Sequence, residues 1–501
     1  MKEESGLLLM HQGSFVLGSR IRHLVATSLV YLIVPNLPIW IFEKKMALTT
    51  HGYFNIECLL VGALSTYVPR SVTLFLLLIE ICASFVYLVC YTYQFSLRSL
   101  IDSAQYLSLL PVGKVSLILA AFVVASASSA VLAFLYPRRQ QHRSLGVPVA
   151  LVSVAFLLVA TDTYNGRNPA LSRDHASAIP RLSLSPFVTL AGRGVMWKSV
   201  ERSATYAKAE NMDSASARGI GFLGQRPVTA TPNIVLIVVE SWGLFEDPRL
   251  ADSLTAVYQA PEILANYRVS HGTAPFDGLT VPGEARELCH SRVGFGILKM
   301  MPGQESGCLP ARLHANGYQN IAVHGYVGGM FQRQSWYRTI GFDEAWFSPD
   351  LDRAGLAHCG GAFPGICDGA IADWIGRALL SDTADQPKFI YWLTLNSHLP
   401  VPEVRDSPQG GGQCSSDAEL ASSQSLCSWF QLISDVHGSV QHLALEAHNR
   451  PTVFILVGDH APPFSDSHLR GLFSSEEVPY VILTPNGRGA GAGPAYHEGG
   501  S

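Results

Sequence analysis

Five apolar runs crowd the first 160 residues, and no other feature constrains the fold of this chain as much. A helix crosses a bilayer with about 20 mostly apolar residues. The runs cover about 24–41, 54–68, 71–95, 115–136 and 146–160. The third and fourth have the full length, whereas the second and fifth are short and have buried core helices as their alternative. Pro35 and Pro38 sit in the first run, where a membrane helix tolerates them with a kink. The head before it lacks a small-residue cleavage site after a short apolar core, so this run is expected to stay as an anchor rather than leave as a signal peptide. The excess of apolar residues, 48% of the chain, is concentrated here.

Orientation follows from the basic residues between the runs. With five passes and a cytoplasmic start, Lys2, Arg20, Arg22, Arg70, Arg138, Arg139 and Arg143 fall inside, against Lys44, Lys45, Arg98 and Lys114 outside. The later part of the chain is then expected outside the cytoplasm. Cysteine placement gives an independent indication. Cys58, Cys82 and Cys90 lie in apolar runs, while Cys289, Cys308, Cys359, Cys367, Cys414 and Cys427 lie in the later part. An even number in an exported domain favours disulfides. Neighbour pairing is expected, although six cysteines allow 15 pairings. No Cys-x-x-Cys spacing supports a zinc cluster.

Residues 1–161 therefore read as a transmembrane helical domain of about five helices. Residues 162–232 read as a polar juxtamembrane connector with an amphipathic patch near 195–209. From Asn233 short apolar runs alternate with helical stretches, which predicts a mainly parallel sheet covered by helices on both faces over 233–485. Strands are expected at 233–239, 319–323, 388–395, 452–457 and 478–484, and helices at 309–316, 330–340, 368–380 and 428–448. The Gly-rich tail, 486–501, is expected to be disordered. A net charge of −4, with no basic cluster interleaved with aromatics, gives no reason to invoke nucleic acid.

The chemistry concentrates at strand ends. Glu240 closes the run NIVLIVV, and Asp459 and His460 close TVFILV with Gly458 between. The carboxyl ends of parallel strands are where open α/β folds assemble their sites. Thr280, in GLTVPGEARELC, is the candidate nucleophile, and a threonine needs a base or a metal ion to attack. Together Glu240, Thr280, Asp459 and His460 make a ligand set for one divalent cation. Thr280 as a capping-box residue is disfavoured, because Gly283 occupies the position that needs Glu or Gln. Thr273 in HGTAP is the alternative nucleophile, and His468 a candidate extra ligand outside the core set.

These motifs, in this order, resemble the alkaline-phosphatase superfamily, and within it membrane transferases of the lipoteichoic-acid synthase and phosphoethanolamine transferase type. The carriers are VVES with Glu240, Thr280 followed four residues later by Glu284, the segment HGYVGGMFQRQSWYRTIGFDEAWF, NSHLP, and Gly458-Asp459-His460. The resemblance implies that Arg333 binds phosphate and that His398 binds substrate. It also implies Mn²⁺ or Zn²⁺ as cofactor, a phospholipid donor and a glycan or lipid acceptor. The place it implies is a bacterial inner membrane, multi-pass, with the catalytic domain outside the cytoplasm. The chain departs from the family at Ala461, Pro462 and Pro463, where a Gly is usual, so a different loop is expected after His460.

In such enzymes the threonine attacks the phosphodiester of a lipid headgroup, diacylglycerol leaves, and an acceptor hydroxyl then takes the group. Whether that group is glycerol phosphate or phosphoethanolamine stays open at this point, with a tilt toward the first. A sulfatase shares the fold, but its maturation motif begins with Cys or Ser. Here TVPGEAR places Thr280 first and Glu284 at the arginine position. A plain phosphodiesterase and a non-catalytic membrane scaffold are the remaining alternatives.

Overall fold

The computed structural model describes residues 22, 24–46, 52–92, 104–109, 112–135, 145–165, 181–187 and 210–223, then most of 231–486, with short breaks at 277–278, 293, 301–302, 381–385, 403–413, 415, 447–449 and 465. The chain divides into two compact units. The first spans Met1–Leu100 and Pro111–Trp197 with Ser465–His468, and the second combines Ile101–Leu110, Lys198–Phe464 and Leu469–Ser501.

In the first unit, four helices among the described residues are long and apolar enough to cross a membrane: α1 (Leu24–Lys44), a span at Arg70–Leu88 within α3 (Arg70–Thr92), a span at Val115–Phe134 that takes in most of α4 (Val112–Ala130), and α5 (Gly146–Tyr164). The second expected segment, 54–68, holds only the nine-residue α2 (Ile56–Leu64). At 1.5 Å per residue that is roughly 13 Å, less than half a hydrocarbon core. Polar groups explain its shortness. Asn55 caps α2 by accepting from the Glu57 amide, its own amide donates to the Asn36 side chain at 3.1 Å, and its carboxamide donates to Glu80 and Ser84.

Tyr31 and Ser65 hydroxyls meet at 3.2 Å, so α2 runs back alongside the first half of α1. The contact of Asn55 with Glu80 then places α3 running forward again. α1 bends at residues 34–36, around Pro35, as the prolines require, and Asn36 returns a hydrogen bond to the Leu32 carbonyl at 2.7 Å.

In the second unit seven strands form one sheet. They are β1 (Asn233–Val239), β2 (Tyr267–Pro275), β3 (Gln319–His324), β4 (Glu344–Trp346), β5 (Lys388–Leu393), β6 (Thr452–Gly458) and β7 (Glu477–Pro485), in the order β2-β7-β6-β1-β5-β3-β4. The run β6-β1-β5-β3-β4 is parallel, while β7 and β2 add antiparallel at one edge. β1, β5 and β6 are buried along their whole length, which is why they read as continuous apolar runs. Cores lie on both faces of the sheet.

Residues 210–223, assigned to the connector on composition, are built into this unit. Glu210–Asn211 pairs with Ser291–Arg292, and α6 (Ala215–Leu223) packs on β6, with Gly219 against Ile455. The amphipathic patch at 195–209 and the tail beyond 486 lie outside the described residues. The cysteines pair as neighbours: Cys289 with Cys308, Cys359 with Cys367, and Cys414 with Cys427.

Candidate active site

Four adjacent parallel strands deliver the site. Gly458 stands in register with Val239, so the ends of β6 and β1 set Asp459 beside Glu240. β5 flanks β1 on the other side, and its extension carries Thr394 to His398. Beyond it β3 ends in His324, in register with Leu393. The residues that close apolar strands thus converge because the strands are neighbours, although they are far apart in sequence.

Thr280 is the first residue of α7 (Thr280–Cys289), and the cap position is Leu279, which makes no side-chain cap bond. The Thr280 hydroxyl is therefore not spent on capping. It donates to Glu240 Oε2 at 3.1 Å. Glu240 is held along its backbone, with its amide on Thr394 Oγ1 at 2.9 Å and its carbonyl accepting from Ser397 Oγ at 2.6 Å. Asp459 Oδ1 accepts from the Ser241 and His460 amides, both at 2.7 Å.

Donor atoms of Glu240, Asp459 and His460 all lie within 4.8 Å of one another, and all three residues are buried. His460 Nδ1 donates to the Ala461 carbonyl at 2.9 Å, which leaves Nε2 as the nitrogen facing the carboxylates, 3.4 Å from both Glu240 Oε1 and Asp459 Oδ2. Asp459 Oδ2 is buried and takes no hydrogen bond. A buried carboxylate oxygen without a hydrogen bond, grouped with an imidazole nitrogen and a second carboxylate, fits a divalent cation.

The electrostatics agree. Burial would pull the His460 imidazole down, yet the Asp459 and Glu240 carboxylates raise it to about 9. Burial, and Glu240 beside it, push Asp459 up to about 7. Burial opposes the charge on Glu240, but His398 and His460 hold its carboxyl well below the usual range.

Arg333 and His398 take up different positions around this centre. Arg333 is buried and forks onto Glu284, with Nε to Oε2 at 3.0 Å and Nη2 to Oε2 at 2.8 Å. Glu284 stands one helical turn after Thr280, which gives the four-residue spacing a physical meaning: the helix that begins with Thr280 also holds Arg333. Tyr337 and Tyr391 hydroxyls also donate to Glu284. His398 is half-buried, its field reaches Glu240, and its ring meets Phe363 edge to face at 4.6 Å. Thr273 lies instead in the edge strand β2, paired with Pro479. His468 is exposed, with its amide on Asp466, and stands outside the Glu240–Asp459–His460 group. In the loop after His460, Pro462 packs where a Cβ on Gly243 would sit, 2.6 Å away.

Three residues of the site were not singled out in the sequence. His324 closes an apolar run as Asp459 does, and that signal was available. Burial and the nearby Arg333 keep its ring neutral, pulled down to about 3. Asp368, pushed up to about 7 by burial, accepts the Leu395 and Asn396 amides and so sets the loop bearing His398. Arg286, buried and paired with Glu287 at 2.6 Å, donates to the Gly458 carbonyl at 2.6 Å and the Asp459 carbonyl at 3.4 Å. No local pattern marks either of those two.

Residues 232–498 match the family model described as Sulfatase. A putative cyclic beta-1,2-glucan modification protein of Rhizobium meliloti (strain 1021) is 24% identical over 267 residues, 50% of this chain and 39% of that protein, so the match spans well under half of that relative's length. Among solved structures, the lipoteichoic acid synthase LtaP from Listeria monocytogenes shares 12% identity over 57% of this chain and 70% of its own, with a TM-score of 0.36. The Streptococcus pyogenes phosphoglycerol transferase GacH, solved with sn-glycerol-1-phosphate, shares 15% over 55% and 77%, at 0.35. The C-terminal periplasmic domain of EcEptC from Escherichia coli, in complex with Zn, shares 15% over 52% and 74%, at 0.32.

Proposed function

The chain belongs to the sulfatase family, and from that premise we propose that it is a membrane-anchored transferase which moves a glycerol phosphate or phosphoethanolamine group from a phospholipid to a glycan or lipid acceptor by way of Thr280. The wider superfamily transfers and hydrolyses such esters with divalent metals. One observation carries this reading. The Thr280 hydroxyl, free of capping duty at a helix N-terminus, lies 3.1 Å from a carboxylate that also belongs to the buried three-residue ligand group.

Glu240, Asp459, His460 and Thr280 would hold the ion, Mn²⁺ or Zn²⁺, which when bound supplies Lewis acidity that lowers the pKa of the hydroxyl. Thr280 Oγ1 attacks the headgroup phosphorus as its proton passes to Glu240 Oε2. The bond to the diacylglycerol oxygen breaks, and His398 protonates that oxygen. The positive end of α7 favours the phosphate beside Thr280. Arg333, held by Glu284, adds fixed positive charge below it. An acceptor hydroxyl then displaces Thr280 from phosphorus, its proton passing to His398 while Thr280 Oγ1 takes back the proton held by Glu240, which restores the resting side chains.

Threonine at position 280, rather than Cys or Ser, separates this site from sulfatases that need a matured nucleophile. The relative named for cyclic glucan modification supports a glycan acceptor. Three disulfides support a catalytic unit outside the cytoplasm, anchored in a bacterial inner membrane.

The test uses the full chain in detergent with Mn²⁺ or Zn²⁺ and phosphatidylglycerol or phosphatidylethanolamine. Diacylglycerol release by the wild type, stimulated by an added glucan and lost in Thr280→Ala, is expected. Release of sulfate from an aryl sulfate, with neither lipid consumed, would contradict the reading.

A further inference from the structure

Between α3 and α4 the chain leaves the first unit and places the turn Ala104–Leu109 in the second unit, against the wall of the candidate site. Two lines of contact run from this turn to the two residues assigned to substrate. Along one, the buried Tyr106 ring meets Phe331 edge to face at 5.4 Å, and the Arg333 guanidinium lies 5.3 Å from the Phe331 ring centre. Along the other, the Leu109 carbonyl accepts the Tyr326 hydroxyl at 2.7 Å. The Tyr326 ring meets Phe363 at 5.2 Å, and Phe363 meets His398 at 4.6 Å.

The wall needs such support. Phe331 and Gln332 both have φ of 52°, a left-handed backbone that residues with a Cβ adopt only when their surroundings impose it. Tyr106, Tyr326, Met330 and Leu395 form a small buried cluster of their own, separate from the two cores of the sheet. Part of the support for the strained turn therefore comes from a segment whose sequence neighbours on both sides are membrane helices.

We infer that Tyr106 is a positioning residue of the transferase: through Phe331 it holds Arg333 where the donor phosphate binds, and so makes substrate affinity depend on the loop between α3 and α4. This rests on the transferase reading for the role of Arg333. The effect should appear in KM and leave the metal centre alone, because Tyr106 packs against Phe331 and in the cluster with Tyr326, Met330 and Leu395.

The test measures the full chain in detergent with bis(p-nitrophenyl) phosphate, and with phosphatidylglycerol in mixed micelles. Tyr106→Ala and Phe331→Ala should each raise KM about tenfold, as expected when a binding group loses its placement, and the double variant should raise it no further. Tyr106→Phe should behave as the wild type in KM and melting temperature, and metal content should hold in Tyr106→Ala even though the cavity it leaves lowers its melting temperature. Multiplying effects in the double variant, or an unchanged KM in Tyr106→Ala, would overturn the inference. So would a loss of bound metal in Tyr106→Ala, which would show general structural support. Failure of the underlying reading looks different: the wild type would then turn over neither donor in a Thr280-dependent way.

Discussion

The helix that begins with Thr280 packs so closely on the end of β6 that a Cβ placed on Gly283 would lie 2.9 Å from the Cβ of Asp459 and 3.0 Å from its Cα. Helix and metal-ligand loop are thus in backbone contact, which fixes the nucleophile relative to the ligand group. Gly283→Ala must push them apart, since Asp459 is pinned by the Ser241 and His460 amides. Overpacking of this kind costs about 1–3 kcal/mol. We expect a lower melting temperature, weaker metal binding and at least a tenfold loss of turnover, as misplacing a reacting group by about 1 Å implies. Gly221→Ala, whose added Cβ meets nothing within 4 Å, is the control and should leave activity unchanged.

Metal binding should release protons. In the metal-free protein burial opposes, but the Asp459 and Glu240 carboxylates outweigh it and raise His460 to about 9, so at pH 7 its imidazole holds a proton that the ion must displace. The raised pKa gives the metal-free fold a stabilising contribution that is complete below the ordinary value of 6.5 and lost as pH rises through about 9. Asp459, raised to about 7 from 3.8, acts in the same direction over its own range. Metal-free protein should therefore melt lower at pH 9 than at pH 6.5, whereas metal affinity should increase over that interval. Calorimetry in buffers of different ionisation enthalpy reads the proton release directly; no release at pH 7 would show that His460 is not a ligand.

The two carboxyl-terminal strand ends of the site were legible because β1 and β6 are buried on both faces, so polar residues appear only where each strand stops. The same logic extends to His324 at the end of β3. β2 was missed for the opposite reason: YRVSHGTAP is an edge strand, half exposed, and its residues follow no apolar pattern. Hydropathy marked the run 54–68 as short without showing why, since the polar groups around α2, Asn36, Asn55 and Glu80, come from three separate elements. Long-range packing also decides the fate of 210–223. The Ser216 amide donates to Glu287 at 2.9 Å, a contact between residues 71 apart, and composition carries no trace of it.

The proposed placement of the catalytic unit outside the cytoplasm makes a prediction about topology. A reporter active only outside the cytoplasm should be active when fused after residue 232 and silent when fused after Arg143. The reverse pattern would place the site in the cytoplasm and remove its access to an external acceptor.

The disulfides close loops with separations of 19, 8 and 13 residues. Each bond of this kind is worth about 2–4 kcal/mol. Reduction should lower the denaturation midpoint of the purified protein markedly, and alkylation without reductant should find none of these six thiols. Six reactive thiols would contradict the pairing and, with it, an oxidising compartment.

The central claim is that Thr280 carries the transferred group, and covalent trapping tests it most directly. The full chain, incubated in detergent with metal and phosphatidylglycerol or phosphatidylethanolamine but no acceptor, should gain the mass of one glycerol phosphate or one phosphoethanolamine. Peptide mapping should place that mass on Thr280, and Thr280→Ala should gain nothing and release no diacylglycerol. A modified Thr273, or full turnover by Thr280→Ala, would contradict the account.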